Sequence, residues 1–312
     1  MAAAHFVLSL LLCLSLGAAA GYPWAEARAQ ADKLALPTAD QLRSPMRIAF
    51  ASKGKLLVSD YQLGMILTVK RKSLKVVRGF RIEGKPLAVA AGRRVIYVGN
   101  DSTKRVEVYS RKGKLRYDLG PPGDLVLQPT DIAVDRRNRR VFVVDGRKKV
   151  VRVFSTDGAA LYDIPSSYPD PTLLANPTGI ALDEERGEIL VSDYGDSLTG
   201  IPARIQIFSA SGSHLDTISG RAGMLGTRFS RPQGLAVTRE GQVLVADSLS
   251  SELLAFDRET GRHLKTLGSF GSAPGQLQMP LDLVIHRKSR DVFVINNRAG
   301  RIEVFRSGGA IP

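Results

Sequence analysis

Six segments of the chain begin with a proline and end, 14 to 16 residues later, with an aspartate or asparagine. Short runs of Val, Ile, Leu and Phe between these ends are interrupted by Gly, Asp, Asn and basic residues, which is typical of consecutive antiparallel strands. The prolines are spaced 41, 43, 48, 55 and 48 residues apart, at Pro45, Pro86, Pro129, Pro177, Pro232 and Pro280. A repeat of this length predicts one structural unit used six times.

Each unit contains more than the first two strands. A third, alternating run follows, as in residues 203–209 and 301–306, and a fourth follows a turn, as in residues 214–219. Four strands in a unit of about 40 to 50 residues are one blade of a β-propeller. We therefore expect an all-β fold, a six-bladed propeller of four-stranded antiparallel blades over residues 33–309.

The sixth unit is short, because only six residues follow Arg306. It lacks a run for the outer strand, which an earlier segment could supply. We expect Lys33–Leu36 to complete the sixth blade and to close the ring, since pairing the two ends of the chain protects an open sheet edge.

The repeated unit resembles the NHL repeat. The resemblance is carried by blade sequences such as PTGIALDEERGEILVSDY (177–194) and by the linker GSFGSAPGQLQMP (268–280), and it extends over residues 33–309. WD40 repeats are disfavoured, since the chain has no Trp-Asp pair. The resemblance implies a propeller and, in bacterial members, a secreted scaffold, sometimes associated with multihaem cytochrome systems.

The N-terminus is typical of an export signal. The uninterrupted apolar and serine run at 6–16 is followed by small residues, which suits signal peptidase cleavage after Ala20, with Ala29 as a second choice. We expect a signal peptide at 1–20 and an extension at 21–32. Eleven residues are too few to span a bilayer, and no later segment is long and apolar enough, so no membrane span is expected in the mature chain.

Cys13 is the only cysteine and lies inside this apolar run. The mature chain would therefore have no disulfide, thiol nucleophile or cysteine zinc site. An exported protein without disulfides fits a bacterial periplasm or cell exterior.

Two positions of the repeated unit carry polar residues in several of the units. The residues that end the second strand are interpreted as structural, because Asp and Asn side chains accept backbone N–H groups in turns; they are Asp60, Asp145, Asp193, Asp247 and Asn296. The position two after each proline faces the central channel, and there we expect Arg47, Asp131 and Asp282 at the channel mouth. We expect Arg47 to pair with Asp282 on the neighbouring blade.

The sequence favours a binding protein over an enzyme. Two carboxylates without a third ligand make a poor metal site, so no metal and no cofactor is expected. Lyases of related propellers hold zinc through histidines at the central axis, and the chain has no such set. The alternative is a propeller lyase or hydrolase that uses Arg47, Asp131 and Asp282 at the channel mouth.

Charge is the most informative functional feature. The net charge is +14, yet residues 44–164 contain 26 basic and 11 acidic residues, whereas residues 165–312 contain 15 and 16. The basic clusters fall in first-to-second or third-to-fourth strand turns, which share one face of a propeller. They are Lys70, Arg71, Lys72, Arg93, Arg94, Arg111, Lys112, Lys114, Arg136, Arg137, Arg139 and Arg140.

These clusters predict a half-ring of positive potential that docks an anionic partner, although a basic surface that serves solubility alone has equal weight. A protein or an anionic polymer is the expected partner of a monomeric propeller. Nucleic acid is disfavoured, since aromatic residues make up only 6% of the chain. The opposite face carries an insertion at 194–202 whose role is left open between a functional loop and an inert one.

Overall fold

The computed structural model describes residue 38 and residues 41–51, 54–165, 173–219 and 229–307. Within these ranges the chain forms strands and turns and no α-helix. The strands assemble into six separate antiparallel sheets in which each strand pairs with its neighbour in sequence.

The first half of the chain forms three blades. Blade 1 contains β1 (Pro45–Phe50), β2 (Lys55–Asp60), β3 (Met65–Lys70) and β4 (Val76–Arg81). Blade 2 contains β5 (Pro86–Ala91), β6 (Val95–Asn100), β7 (Arg105–Ser110) and β8 (Leu115–Asp118). Blade 3 contains β9 (Pro129–Asp135), β10 (Arg140–Asp145), β11 (Val150–Ser155) and β12 (Ala160–Ile164).

The second half repeats the arrangement. Blade 4 contains β13 (Pro177–Asp183), β14 (Glu188–Asp193), β15 (Arg204–Ser209) and β16 (His214–Ile218). Blade 5 contains β17 (Pro232–Val237), β18 (Gln242–Asp247), β19 (Glu252–Asp257) and β20 (His263–Leu267). Blade 6 contains β21 (Pro280–Ile285), β22 (Val292–Asn296) and β23 (Arg301–Phe305). A proline opens the first strand of every blade, a position that tolerates its missing N–H.

The six blades form a closed ring. Each innermost strand contacts the innermost strand of the next blade, and β21 of the last blade contacts β1 of the first. A hydrophobic cluster fills each of the six boundaries between neighbouring blades. At the closure, Leu281, Phe293 and Ile295 of blade 6 pack with Ile48 and Leu56 of blade 1. Burial of each such side chain contributes about 1.5–3 kcal/mol, so these boundaries supply the main stabilisation.

The aspartate that ends each second strand holds the chain segment that enters its own blade. The side chain of Asp145 accepts the N–H groups of Leu127 and Gln128, in the incoming segment, at 2.8 and 3.1 Å. It also accepts the N–H groups of Arg147 and Lys148 in the following turn, at 3.2 and 3.0 Å. Asp145 itself has no exposed surface, so these four bonds satisfy a carboxylate that would otherwise be buried without partners.

The same arrangement recurs around the ring. Asp60, Asp193 and Asp247 each accept N–H groups from both the incoming segment and the following turn. Asn100, which departs from the aspartate pattern, does so as well through its Oδ1. The interpretation of these residues as structural is confirmed.

The predicted fold class is also confirmed, with four strands in each of the first five blades and three in the described part of the sixth. The expected signal peptide, the extension at 21–32 and the closing strand at Lys33–Leu36 lie outside the described residues. Among the described residues, no helix has the length and hydrophobicity needed to cross a membrane.

The recurring aspartate can be tested in blade 3. Replacement of Asp145 by alanine leaves several N–H groups without an acceptor, and we expect the free energy of unfolding to fall by about 3 kcal/mol. Urea denaturation measures the change. The control is Asp157→Ala, which removes a carboxylate of the same blade that is 74% exposed. Equal losses in the two variants would contradict the role given to Asp145.

Candidate functional site

The position two residues after each proline forms a ring around the central axis. It is occupied in turn by an arginine, an alanine, an aspartate, two glycines and a second aspartate: Arg47, Ala88, Asp131, Gly179, Gly234 and Asp282. The small residues have a steric cause. A Cβ atom at Gly234 would overlap the carboxylate of Asp282, and one at Gly179 would overlap the carbonyl oxygen of Gln233. Gly234 therefore allows its strand to approach the carboxylate of Asp282, and Gly179 allows its strand to approach the backbone of blade 5.

Arg47 spans the axis from blade 1. Its guanidinium donates to the carbonyl oxygen of Thr130 in blade 3 at 2.8 Å, of Thr178 in blade 4 at 2.5 Å and of Leu281 in blade 6 at 2.6 Å. The side chain is 5% exposed. One buried arginine thus joins four of the six blades, and hydrogen bonds that involve a charged group are the stronger ones.

The two aspartates of the ring occupy opposite blades and make equivalent contacts. Asp131 of blade 3 accepts the N–H of Ile180 in blade 4 at 3.0 Å. Asp282 of blade 6 accepts the N–H of Ile48 in blade 1 at 2.8 Å. Each carboxylate therefore fastens its blade to the next one, and the two contacts are related by half a turn of the ring.

The predicted pairing of Arg47 with Asp282 is wrong. Among the described residues, the carboxylate within ion-pair distance of Arg47 is Asp131, with 3.7 Å between Nε and Oδ1. The sequence places Asp282 on the blade next to Arg47, but the arginine side chain is long enough to extend across the axis. It bonds to a carbonyl oxygen of blade 6 and leaves the carboxylate of Asp282 to the backbone of Ile48.

The protonation of this cluster is governed by burial. Desolvation and the negative charge of Asp131 together raise the pKa of Asp282 to about 8, against the opposing effects of Arg47 and two backbone N–H groups. Desolvation also raises the pKa of Asp131, while Arg47 and two backbone N–H groups lower it. One cation shared by two buried acids favours a proton on Asp282 at neutral pH.

The geometry at the axis favours a structural role. Arg47, Asp131 and Asp282 are 4 to 6% exposed and bind backbone groups of other blades. In the part of the chain that the structure describes, no group of three or more His, Cys, Asp or Glu residues is arranged to hold a metal ion. The three residues predicted at the channel mouth are brought together, but as a fastening between blades.

The predicted basic clusters lie in the turns after first and third strands, and contacts show that these turns share a face. Arg140, after the first turn of blade 3, donates to the carbonyl oxygen of Ala210 in the last turn of blade 4 at 3.0 Å. Arg136 donates to the carbonyl oxygen of Ala91, at the first turn of blade 2, at 2.9 Å. We call this side of the propeller the turn face.

Exposure divides the twelve predicted residues into two groups. Ten are exposed, namely Lys70, Lys72, Arg93, Arg94, Arg111, Lys112, Lys114, Arg136, Arg137 and Arg139. Arg71 and Arg140 are half-buried, because each pairs with an acid: Arg71 with Asp291 of blade 6 at 3.6 Å and Arg140 with Asp135 at 3.1 Å. These two arginines hold neighbouring blades together, a role that a count of basic residues could not reveal.

Acidic partners distinguish the two halves of the turn face. In blades 4 to 6 three arginines pair across blades: Arg186 with Glu259, Arg287 with Glu184 and Arg290 with Glu240, at 2.5, 2.5 and 2.7 Å. The first three blades have few acids to play this part, although Arg139 pairs with Asp157 at 2.8 Å. The charge excess of blades 1 to 3 is therefore displayed mainly by exposed side chains.

The opposite face has another character. Leu198 of the insertion, Leu249 in a turn of blade 5 and Phe270 in the linker to blade 6 are 95, 73 and 70% exposed. The insertion is tied down by an isolated bridge between Asp196 and Ile201. Single exposed apolar residues are common, so these side chains carry no assignment by themselves.

Comparisons with known proteins agree on the fold. No family model matches the chain and no curated protein matches its sequence. Hydrazine synthase of Kuenenia stuttgartiensis has a TM-score of 0.61 at 12% identity, over 86% of this chain and 96% of that one. Virginiamycin B lyase of Staphylococcus aureus, in a catalytically inactive form with quinupristin, gives 0.61 at 12%, over 88% and 84%.

The WD40 propeller domain of Doa1 gives 0.59 at 12% identity, over 85% of this chain and 79% of that one. Likenesses at this level of identity show the propeller fold alone, and they do not distinguish the NHL repeat from other blade families.

The axial cluster predicts a dependence of stability on pH. The ordinary pKa of aspartate is 3.8, and that of Asp282 in the fold is about 8. Between these values the folded protein keeps a proton that the unfolded chain has lost, so the free energy of unfolding falls as pH rises, by up to about 1.4 kcal/mol per pH unit for one proton. The variant Asp282→Asn keeps an acceptor for Ile48 but has no proton to retain. We expect its free energy of unfolding to fall less steeply with pH, by the contribution of one proton.

Urea denaturation at several pH values between about 5 and 8 measures the slope through linkage. Asp157→Asn is the matched control, because its carboxylate is mostly exposed, and it should leave the slope of the wild type unchanged. An unchanged slope in Asp282→Asn would contradict the assignment of the raised pKa.

Proposed function

We propose that this propeller is an exported interaction scaffold that docks an anionic partner on the turn face of blades 1 to 3. The observation that carries the proposal is the contrast between the halves of that face. Ten basic side chains of blades 1 to 3 are exposed there, whereas Arg186, Arg287 and Arg290 of blades 4 to 6 are paired with acids. A single-signed field of this kind attracts and orients an oppositely charged partner.

The partner is defined by its negative charge, as an acidic protein or an anionic polymer. The low aromatic content disfavours single-stranded nucleic acid, which needs stacking platforms. Export rests on the apolar N-terminal run and its small-residue cleavage sites, and the periplasm or cell exterior is the proposed location. Membership of the NHL repeat family is part of the same proposal, since it rests on the blade sequences.

Charge reversal tests the docking face. In the triple variant Arg94→Glu, Lys112→Glu, Arg137→Glu, three exposed side chains of three different turns change sign, and we expect binding of polyglutamate at low ionic strength to weaken about tenfold or more. Binding of the wild type should also weaken steeply with added salt. Arg140 is left intact, because its contacts with Asp135 and Ala210 belong to the fold.

The matched control has the same change of net charge on the opposite face: Arg147→Glu, Lys149→Glu, Arg298→Glu. These three exposed residues lie in turns after second strands. The control should weaken binding much less than the triple variant. Equal weakening would show that net charge alone is responsible and would overturn the assignment to the turn face. Affinity capture with both variants from the native cell-envelope fraction then separates a protein partner from a polymer.

A further inference from the structure

The boundary between blades 1 and 2 opens on the turn face as a cleft of about 140 Å³. Its lining consists of five apolar residues, one threonine and three cations: Ala51, Leu57, Ala91, Val95, Ile96, Thr68, Lys55, Arg78 and Arg111. None of the nine is acidic. Among the described residues, no carboxylate lies within ion-pair distance of Lys55 or Arg78.

Strand register places these groups on one surface of blade 1. Leu57 of β2 is opposite Thr68 of β3, which is opposite Arg78 of β4. These three side chains therefore follow one another from an apolar residue on the second strand to a cation on the outer strand. Arg111 approaches from blade 2, where its guanidinium donates to the carbonyl oxygen of Arg93 at 2.9 Å.

The boundary between blades 3 and 4 has a cleft at the corresponding place, also of about 140 Å³. There Arg140 occupies the register position that Lys55 has in blade 1, opposite the end of the first strand. Its guanidinium is held by Asp135 at 3.1 Å and by the hydroxyl of Tyr162 at 2.9 Å, and it lies over the ring of Phe142. In this cleft Arg140 is paired with an acid of the protein itself.

The two clefts differ at the positions that would compensate charge. The repeat and the strand register align Asp135, Asp183 and Glu188 of the second cleft with Ala51, Gly92 and Val95 of the first. Conversely, Tyr162 and Ala210 align with Arg78 and Arg111. The first cleft thus has neutral residues at three positions that are acidic in the second, and cations at two positions that are uncharged there.

We propose that the cleft between blades 1 and 2 binds a carboxylate that is carried on a short apolar body. The apolar floor suits a hydrocarbon body, and arginine suits a carboxylate because its planar guanidinium offers two parallel N–H groups. A free organic acid and the C-terminal carboxylate of a polypeptide with an apolar last residue share this chemistry. The site goes beyond the docking of a large anionic partner and does not depend on it.

Hexanoate and hexanamide are the probes, since they have similar size and differ in charge. Titration followed by NMR or calorimetry should show saturable binding of hexanoate, with hexanamide at least about tenfold weaker, because the amide lacks the charge-assisted bonds. Equal binding of both probes, or no saturable binding of hexanoate, would overturn the proposal.

Two variants restore features of the second cleft. Arg78→Tyr installs the residue found at the position of Tyr162, and Ala51→Asp installs an acid opposite Lys55, as Asp135 is opposite Arg140. Each should weaken hexanoate binding about tenfold. The control Arg116→Tyr changes an exposed arginine of β8 that does not line the cleft and should remain within about twofold of the wild type. Lys55→Gln replaces either variant if it fails to fold.

Two further comparisons are needed. One distinguishes a free organic acid from a polypeptide C-terminus as the ligand, and the other separates the cleft from the docking surface on the turn face. A short peptide that ends in leucine, as free acid against C-terminal amide, assigns a polypeptide source if the acid binds more tightly than hexanoate. Weaker binding assigns a free organic acid. Arg137→Glu alone, in a turn of blade 3 away from the cleft, should bind hexanoate as the wild type does, so weakened polyglutamate binding in this variant leaves the cleft proposal in place. Unaltered hexanoate binding in both Arg78→Tyr and Ala51→Asp would contradict the site.

Discussion

The propeller depends on how its six blades are held around one axis, and a single buried arginine supplies much of that connection. Arg47 binds carbonyl oxygens of blades 3, 4 and 6, while Asp131 and Asp282 fasten each half of the ring to the next. Burial of three charged groups costs free energy unless each is paired and hydrogen-bonded. The arrangement meets that condition through hydrogen bonds to backbone groups and through the raised pKa of Asp282. The charged groups on the axis therefore serve to hold the ring together.

Most of the fold could be predicted, because its determinants are local and repeated. The prolines, the alternating apolar runs and the aspartate or asparagine at the strand end occur in every unit, and each acts within its own blade or on the segment that enters it. The partner of Arg47 could not be predicted in this way. The nearest aspartate around the ring is Asp282, but the choice of Asp131 depends on how far the side chain extends across the axis. Contacts between non-neighbouring blades leave no local pattern.

The basic turns show the same limit. Their placement on one face follows from strand alternation, yet the sequence could not separate Arg71 and Arg140, which hold blades together, from their exposed neighbours. Whether a basic residue is structural or exposed depends on whether an acidic side chain lies beside it. Where an acid pairs with the arginine, as Asp291 with Arg71 and Asp135 with Arg140, the cation becomes structural. At the proposed cleft, small residues such as Ala51 and Val95 take those positions, and the surface of blades 1 to 3 keeps its excess positive charge.

Hydrogen exchange in the presence of polyglutamate tests most directly whether the turn face of blades 1 to 3 is the docking surface. Mass spectrometry of peptides from the free and bound protein would locate the protected amides. We expect protection in the turns at 70–75, 92–94, 111–114 and 136–139, with the turn at 146–149 on the opposite face unchanged. Protection spread equally over both faces, or centred on blades 4 to 6, would contradict a docking surface built from the uncompensated turns.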